Sequence, residues 1–330
     1  MPWAFIIGLI SAALLTPVAI ALARRFDLYD KPAKDNFHNV ATPLLGGLGI
    51  LAGITIATYI LAPNAPRLTA LIVGMVLVAL VGLWDDKTPI APIWKLVALI
   101  PGAVVSGILL PDAVPALLWP VFFLGFLFVA NSVNLLDNQD GLTGLMTALT
   151  SLIFGFMASS TELIDLSIAC LALSGACIGF LFFNWRIVRP AAIFLGDMGS
   201  LALGAGLFII VACLFHHATS PADHIAVLLP IGLVTSDTLL TIYIRKRNGL
   251  KALCRSRDHI SQRLDRHGIP RWQVTVYLAL VTLLSSIGGL VTWLASSPLI
   301  EAAGIALGVL TIGSLALYST RLQLPSETVP

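Results

Sequence analysis

The sequence predicts an all-α integral membrane protein of about eleven transmembrane helices, with its N-terminus outside and its C-terminus in the cytoplasm. Three observations predict it. Hydrophobic residues make up 58% of the 330-residue chain and charged residues 11%, against about 25% charged in an ordinary soluble domain; mean hydropathy is +0.94. Apolar runs near the ~20 residues needed to cross a bilayer recur along the whole chain. Every Lys and Arg except Arg67 falls in alternate connections, which the positive-inside rule reads as cytoplasmic. With Lys and Arg so nearly balanced by acids, the net charge of +2 says little about partners, and no nucleic acid is expected.

The first span, residues 3–23, has no preceding Lys or Arg and is followed at once by Arg24-Arg25. It therefore reads as a retained anchor, although Ala21-Leu22-Ala23 has the small-residue pattern of a signal-peptide cleavage site. The second span is 44–62, and the third, 68–84, is short enough for a tilted or partly re-entrant segment. The fourth to ninth follow at 94–110, 115–134, 141–158, 163–183, 199–215 and 222–243. The tenth and eleventh, 273–296 and 298–318, meet at the Ser296-Ser297-Pro298 turn and read as a helical hairpin. Between the ninth and tenth, Arg245 to Arg271 carries nine of the nineteen basic residues, so 245–271 is the one sizeable cytoplasmic element of an otherwise single multi-pass domain. No internal repeat is visible. Cys170 and Cys177 share a helix face about 10 Å apart along the axis, too far for a disulfide, and Cys213 and Cys254 have no second Cys nearby.

Five islands of chemistry lie at the ends of these spans, all on the side read as cytoplasmic. They are Asp30-Lys31-Pro32 with His38, Thr42-Pro43 and Gly46-Gly47; Asp85-Asp86-Lys87; Asn131, Asn134, Asp137 and Asp140-Gly141; Phe194-Leu195-Gly196-Asp197-Met198-Gly199-Ser200; and Arg257-Asp258-His259. Carboxylates beside membrane spans are costly and mark a functional cleft by default. Short Asp side chains suit a rigid Mg²⁺ site, which takes one or two carboxylates together with substrate phosphates. The adjacent Asp85 and Asp86 point in different directions on a helix and so have different roles; the alternative is a solvated helix end beside Lys87. Asn131, Asn134 and Asp137 fall on one helical stripe, the alternative being hydrogen bonding between helices. Asp140-Gly141 opens the sixth span, whose first N–H groups and dipole favour an anion. At Gly196-Asp197-Met198-Gly199-Ser200, two glycines permit close backbone approach to a phosphate and Asp197 is placed to hold a metal, against a plain N-cap role. His216, His217, Asp223 and His224 look like a metal cluster but fall on the outer side, away from every other island, and read as interfacial or loop residues. The islands together point to an enzyme acting on a phosphorylated substrate at the cytoplasmic face.

Their order and spacing resemble the polyprenyl-phosphate N-acetylhexosamine-1-phosphate transferases, glycosyltransferase family 4, from about Asp30 to Gly268. The resemblance rests on DP-like…H…TP…GG, DD, NxxNxxDxxDG, FxGDxGS and a His-containing last loop, in that order. It implies transfer of a sugar 1-phosphate from a UDP-N-acetylhexosamine to undecaprenyl or another polyprenyl phosphate, releasing UMP, with Mg²⁺ or Mn²⁺, in a bacterial cytoplasmic (inner) membrane. By the same resemblance Asp85 is the base or nucleophile at the lipid phosphate, with Asp86 beside it. Asp197 is the metal ligand, Phe194 stacks on uracil, and Asn134, Asp137 and Asp140 line the uridine-diphosphate pocket, with Asn131 on the same stripe. His38 belongs to the first motif and His259 to the last, a homodimer is the expected assembly, and cell-envelope polysaccharide synthesis, including that of lipopolysaccharide, is the expected setting.

The chain departs from the family pattern in places. Ser261 and Gln262 stand where the other histidines of the last motif would be, Asn39 replaces a basic residue after His38, and Asn138-Gln139 replaces the common Gly-Leu or Gly-Ile. These departures argue against the peptidoglycan translocase. His259 lies among Arg255, Arg257, Arg263 and Arg266, a cluster suited to an anionic diphosphate, so Arg263 is expected to bind the donor. Two rival readings are a catalytically silent relative with a structural role and a secondary transporter; the latter calls for repeated halves and mid-span charges, whereas no repeat is visible and the acidic islands cluster at one face. The topology is tested by reporter fusions: one in 245–271 is expected to report the cytoplasm and one at Thr219 the outside, and the opposite pattern overturns the orientation and the side assigned to the islands.

Overall fold

The computed structural model describes residues 1–30, 41–111, 114–187, 189–250 and 258–322. His38, Asn39, Cys254, Arg255 and Arg257 lie outside the described residues. The helices are α1 (Pro2–Arg25), α2 (Gly46–Leu61), α3 (Pro66–Lys87), α4 (Pro92–Ala98), α5 (Ile100–Leu109), α6 (Trp119–Leu136), α7 (Leu142–Ser160), α8 (Ile164–Asn184), α9 (Gly196–His217), α10 (Pro221–Leu228), α11 (Gly232–Arg247), α12 (Ile260–Arg266), α13 (Arg271–Trp293) and α14 (Pro298–Arg321). Two short strands, β1 (Tyr29–Asp30) and β2 (Thr42–Pro43), pair antiparallel with Tyr29 opposite Pro43 and Asp30 opposite Thr42.

Among the described residues ten segments are long and apolar enough to cross a membrane, and α2, with sixteen residues, is a shorter apolar helix. All eleven coincide with the spans read from the sequence. The third is not a re-entrant piece: α3 runs unbroken for 22 residues, and α2 is the short one. Two spans that read as continuous are broken at proline, which lacks the N–H a helix interior needs. The fourth divides at Leu99 ahead of Pro101 into α4 and α5. The ninth divides into α10 and α11 around a 3₁₀ turn, Leu229–Ile231, containing Pro230, whose carbonyl accepts the Thr150 hydroxyl at 3.1 Å.

At the centre is α9, 83% buried over its apolar window, whereas α1 and α14 are 22% and 17% buried and present their apolar surface to lipid. α9 packs against α2, α3, α6 and α7, while α8 packs on α1, α2 and α7, and α13 on α7, α10 and α14. Successive spans reverse, so the basic connections share one end of the bundle. At the other end Arg67 meets Asp165 at 3.4 Å and the Trp293 indole donates to Ser160 at 3.0 Å. His217 and His224 also lie at that end, bonded to the carbonyls of Cys213 and Ser220, and Asp223 completes a capping box with Ser220. His217 ends α9, and Asp223 and His224 lie in the first turn of α10 rather than in a loop; among the described residues no group of three or more His, Cys, Asp or Glu is disposed around a metal position. Cys170, Cys177 and Cys213 are buried and in no disulfide.

Small residues set the closest helix approaches near the basic end. A Cβ on Gly47 would overlap the backbone of Gly199, and one on Gly82 would overlap the carbonyl of Asp197. These contacts press α2 and α3 against the start of α9. Because backbone cannot yield as a side-chain tip can, Gly47→Ala is expected to cost about 1–3 kcal/mol, the scale of an overpacked core. Thermal unfolding in detergent measures it, and an unchanged transition temperature would show that the two backbones separate freely.

Candidate active site

Asp85 and Asp86 occupy the last turn of α3, where neighbouring side chains diverge by about 100°. They do divide the work. Asp86 faces α9, and its two oxygens accept the N–H groups of Asp197 at 2.8 Å and Met198 at 3.1 Å, so it caps from a neighbouring helix the free donors that every helix start leaves. Gly196 takes the left-handed φ of +73° that this start requires, and a Cβ there would sit 2.7 Å from Asp86 Oδ2. The two glycines thus serve the cap and the α2–α9 contact, a correction to their reading as an opening for phosphate. It also removes the plain capping role from Asp197.

Asp85 turns the other way. Its Oδ1 accepts the Ile90 N–H at 2.6 Å and its Oδ2 pairs with the Lys95 ammonium at 2.7 Å. Lys95 comes from α4, is 9% exposed, and reaches Asp197 Oδ2 and Asn134 Oδ1, the latter at 3.0 Å. The Asn134 amide donates in turn to Asp197 Oδ1 at 2.8 Å and to Ser200 Oγ at 2.9 Å, and Ser200 donates to the Gly196 carbonyl at 3.0 Å. Four helices, α3, α4, α6 and α9, therefore converge on one cation. Two carboxylates, Asp85 and Asp197, share a single ammonium here, a formal excess of one negative charge. The oxygens of Asp85, Asn134 and Asp197 already surround a compact positive charge, and they are the hard donors that Mg²⁺ prefers; the residues fit that ion.

The other expected residues surround this cluster. Asn131 is half-buried one turn earlier on α6. Asp137 ends α6, with its N–H on the Val133 carbonyl at 3.2 Å; burial pushes its carboxyl up to about 8, and the Asp197, Asp86 and Asp140 charges push the same way. Asp140 is exposed. The N–H of Gly141 is not free for an anion, because Asn184 Oδ1 accepts it at 2.7 Å while the Asn184 amide donates to the Ile193 carbonyl at 3.0 Å. Phe194 is half-buried in the loop before α9. Its N–H bonds the Pro43 carbonyl at 2.8 Å, and the Phe194 and Leu195 carbonyls accept the first two N–H groups of α2. The first and fourth islands are thereby one backbone unit.

The last island forms a second, closed cluster. Arg245 and Asp258 make a two-point ion pair at 2.9 and 2.7 Å, and His259 Nδ1 lies 2.7 Å from Asp237 Oδ2. Arg263 is placed differently from the expectation that it faces an anionic diphosphate. It is 3% exposed, its guanidinium donates to the Asp258 and Ser319 carbonyls, and desolvation lowers its pKa. It works as a strut between α12 and α14. The two clusters are tied through the loop after α6: Ser261 Oγ donates to Asn138 Oδ1 at 2.6 Å, and the Gln139 amide donates to Thr275 Oγ1 at 2.6 Å.

Residues 68–215, which include Asp85, Lys95, Asn134 and Asp197, match glycosyl transferase family 4. A phospho-N-acetylmuramoyl-pentapeptide-transferase of Levilactobacillus brevis is 30% identical over 288 residues, covering 74% of this chain and 83% of the relative. The chain belongs to glycosyl transferase family 4. A Bacillus subtilis protein named as a probable undecaprenyl-phosphate N-acetylglucosaminyl 1-phosphate transferase is 28% identical over 305 residues, 87% of this chain and 84% of the relative. The undecaprenyl-phosphate alpha-N-acetylglucosaminyl 1-phosphate transferase of Yersinia pestis is 26% identical over 291 residues, 83% and 79% of the two chains.

Within this glycosyl transferase family 4 chain, sequence reasoning missed Lys95, Asn184 and Asp237. A charged residue inside an apolar span is itself a signal, and Lys95 and Asp237 both sit inside spans drawn from the sequence; counting Lys95 only as a loop charge hid it. Replacing Lys95 by Met leaves Asp85 and Asp197 facing one another without a cation. Breaking a fully buried pair costs about 3–5 kcal/mol, and with the Asp197 side chain 33% exposed the expected loss is smaller, about 2 kcal/mol. Thermal unfolding in detergent without divalent ions reads it; a Lys95→Met protein as stable as the parent would mean that the pair contributes nothing to the fold.

Proposed function

We propose that the protein transfers N-acetylhexosamine 1-phosphate from a UDP-sugar to undecaprenyl or another polyprenyl phosphate and releases UMP. It does so with Mg²⁺ at the cytoplasmic face of a bacterial inner membrane, as the first membrane step of a cell-envelope polysaccharide. The observation that carries this reading is the convergence of Asp85, Asn134 and Asp197 on one cation at the basic end of a family 4 bundle. The names of its relatives, which specify undecaprenyl phosphate and phospho-N-acetylhexosamine groups, support the substrate classes.

In the reaction an oxygen of the lipid phosphate attacks the sugar-bearing phosphorus of the donor, the bond to the bridging oxygen breaks, and UMP leaves with that oxygen. Charge is conserved without a net proton. Such a transfer demands positioning and charge neutralisation more than covalent chemistry. Mg²⁺, which Asp197 would hold, would offset the charge on the donor diphosphate. Asp85 keeps the attacking lipid phosphate deprotonated, Lys95 moves from the carboxylates to a phosphate oxygen, and Asn134 fixes the orientation of Asp197. Asp86 holds the α9 start on which Asp197 is mounted. Phe194, Asn131, Asp137 and Asp140 bound the uridine side, and His259 addresses the donor diphosphate.

The purified protein is expected to exchange labelled UMP into a UDP-N-acetylhexosamine when polyprenyl phosphate and Mg²⁺ are present, with the lipid diphosphate sugar identified by mass spectrometry. Absence of exchange with every UDP-N-acetylhexosamine would favour a silent relative. Asp197→Asn keeps the side-chain shape and loses the charge that holds the ion, so transfer falls below detection even at saturating Mg²⁺. Asp85→Asn loses on the order of 10²-fold or more in kcat, the scale of a missing base, and near-normal turnover in either variant would remove that residue from its role.

A further inference from the structure

Asp237 is a fully buried acid on α11, 0% exposed, and no motif assigns it a role. A carboxylate in that position is costly unless its oxygens are occupied. Both are: Oδ1 accepts the Ile260 N–H at 2.7 Å and Oδ2 lies 2.7 Å from His259 Nδ1. One side chain thus seats the start of α12 and grips the ring of the residue before it, the remaining histidine of the last motif. A carboxylate that already accepts a backbone N–H offers its second oxygen as an acceptor too, so the ring proton lies on Nδ1. In a neutral imidazole the partner of one nitrogen fixes the state of the other, so a neutral ring held this way presents Nε2 as an acceptor.

We infer that Asp237 is a positioning residue of the transferase: it locks His259 in the Nδ1–H tautomer and sets the orientation in which Nε2 meets the donor diphosphate or its counter-ion. The inference rests on the proposed role of His259 at the donor. Ser261 and Gln262, in the places of the motif's other histidines, carry no imidazole, so the whole imidazole function of this loop passes through the ring that Asp237 holds. An Asn at 237 has nearly the same shape and its oxygen still accepts the Ile260 N–H. Its amide group, however, turns N–H toward Nδ1, and the proton must move to Nε2. The fold survives and the tautomer inverts.

The test is a two-by-two set of full-length proteins purified in the same detergent: parent, Asp237→Asn, His259→Ala and the double variant, assayed for transfer to polyprenyl phosphate. Asp237→Asn is expected to lower kcat on the order of 10- to 100-fold, the usual scale for losing the group that orients a working histidine, with the transition temperature close to that of the parent. In the His259→Ala background the same change has no further effect on kcat. Equal losses from Asp237→Asn with and without His259 would make Asp237 a purely structural residue and overturn the inference while leaving His259 in the reaction. Parental activity of His259→Ala would remove the histidine from the reaction and the inference with it. Nitrogen-15 NMR of histidine-labelled parent, with the His259 signal identified by its absence from His259→Ala, reads the tautomer directly and does not depend on the folding of Asp237→Asn. An Nδ1–H ring supports the inference, and an Nε2–H ring overturns it.

Discussion

The structure is organised around a single electrostatic requirement: carboxylates gathered at the end of an apolar bundle must find positive charge or backbone donors close at hand. Lys95 meets it for Asp85 and Asp197, and two backbone N–H groups of α9 meet it for Asp86. Removing charges from water costs several kcal/mol per ion, and only well-placed partners repay it. The ends of α3, α4, α6 and α9 are consequently fixed relative to one another by the same few bonds that hold the reactive groups. The overlaps that a side chain at Gly47 or Gly82 would produce show how little freedom is left between these backbones. Fold and site are here one arrangement.

The two polar clusters at this end are built differently, and the difference follows from exposure. Around Lys95, Asp197 keeps a third of its side-chain surface open, and two carboxylates share the one cation, which leaves a formal excess of one negative charge. Around Arg245 the partners are closed: Asp258, His259 and Arg263 are each no more than 4% exposed, and the ion pair is made at two points. An unbalanced, accessible cluster is suited to receiving a phosphorylated substrate and a divalent ion. The balanced, buried one fixes the positions of its own members, the His259 ring among them. The loop from Asp137 to Gly141 runs between them and is bonded to α12 and α13 through Asn138 and Gln139, which lets the rigid cluster set the geometry beside the open one.

Much of this was legible in the sequence for a simple physical reason. Membrane spans are written in long apolar runs, and the bilayer leaves few other ways to satisfy a backbone, so all eleven spans coincide with helices. Asp85, Asn134 and Asp197 were legible because polar residues at span ends are costly. What could not be read was partnership across the chain. That Asp86 would cap α9, 111 residues away, or that Asn184 would take the Gly141 N–H, depends on which helices become neighbours. Proline breaks at Leu99 and Pro230 were hidden by hydropathy, which averages over a kink. Arg263 was misjudged because a basic cluster in a loop looks solvated until the carbonyls of Asp258 and Ser319 are seen around it.

The departures from the family motif take on a different meaning once their contacts are known. Drift in a silent relative leaves buried polar atoms without partners, each costing about 1–3 kcal/mol. Here each altered side chain has a partner. The Ser261 hydroxyl bonds Asn138 Oδ1, and the Asn138 amide also bonds the Leu135 carbonyl at 3.2 Å. Gln139 bonds Thr275 Oγ1 and the Arg271 carbonyl, and Gln262 Oε1 accepts the His259 N–H at 3.4 Å. Of the four changes, Ser261 and Asn138 bond each other across the two motifs, while Gln139 bonds α13 and Gln262 bonds the backbone at the start of α12. Groups of this kind are costly to leave unpaired when buried, so these partnerships favour substitutions accommodated in a working site over a motif that has decayed.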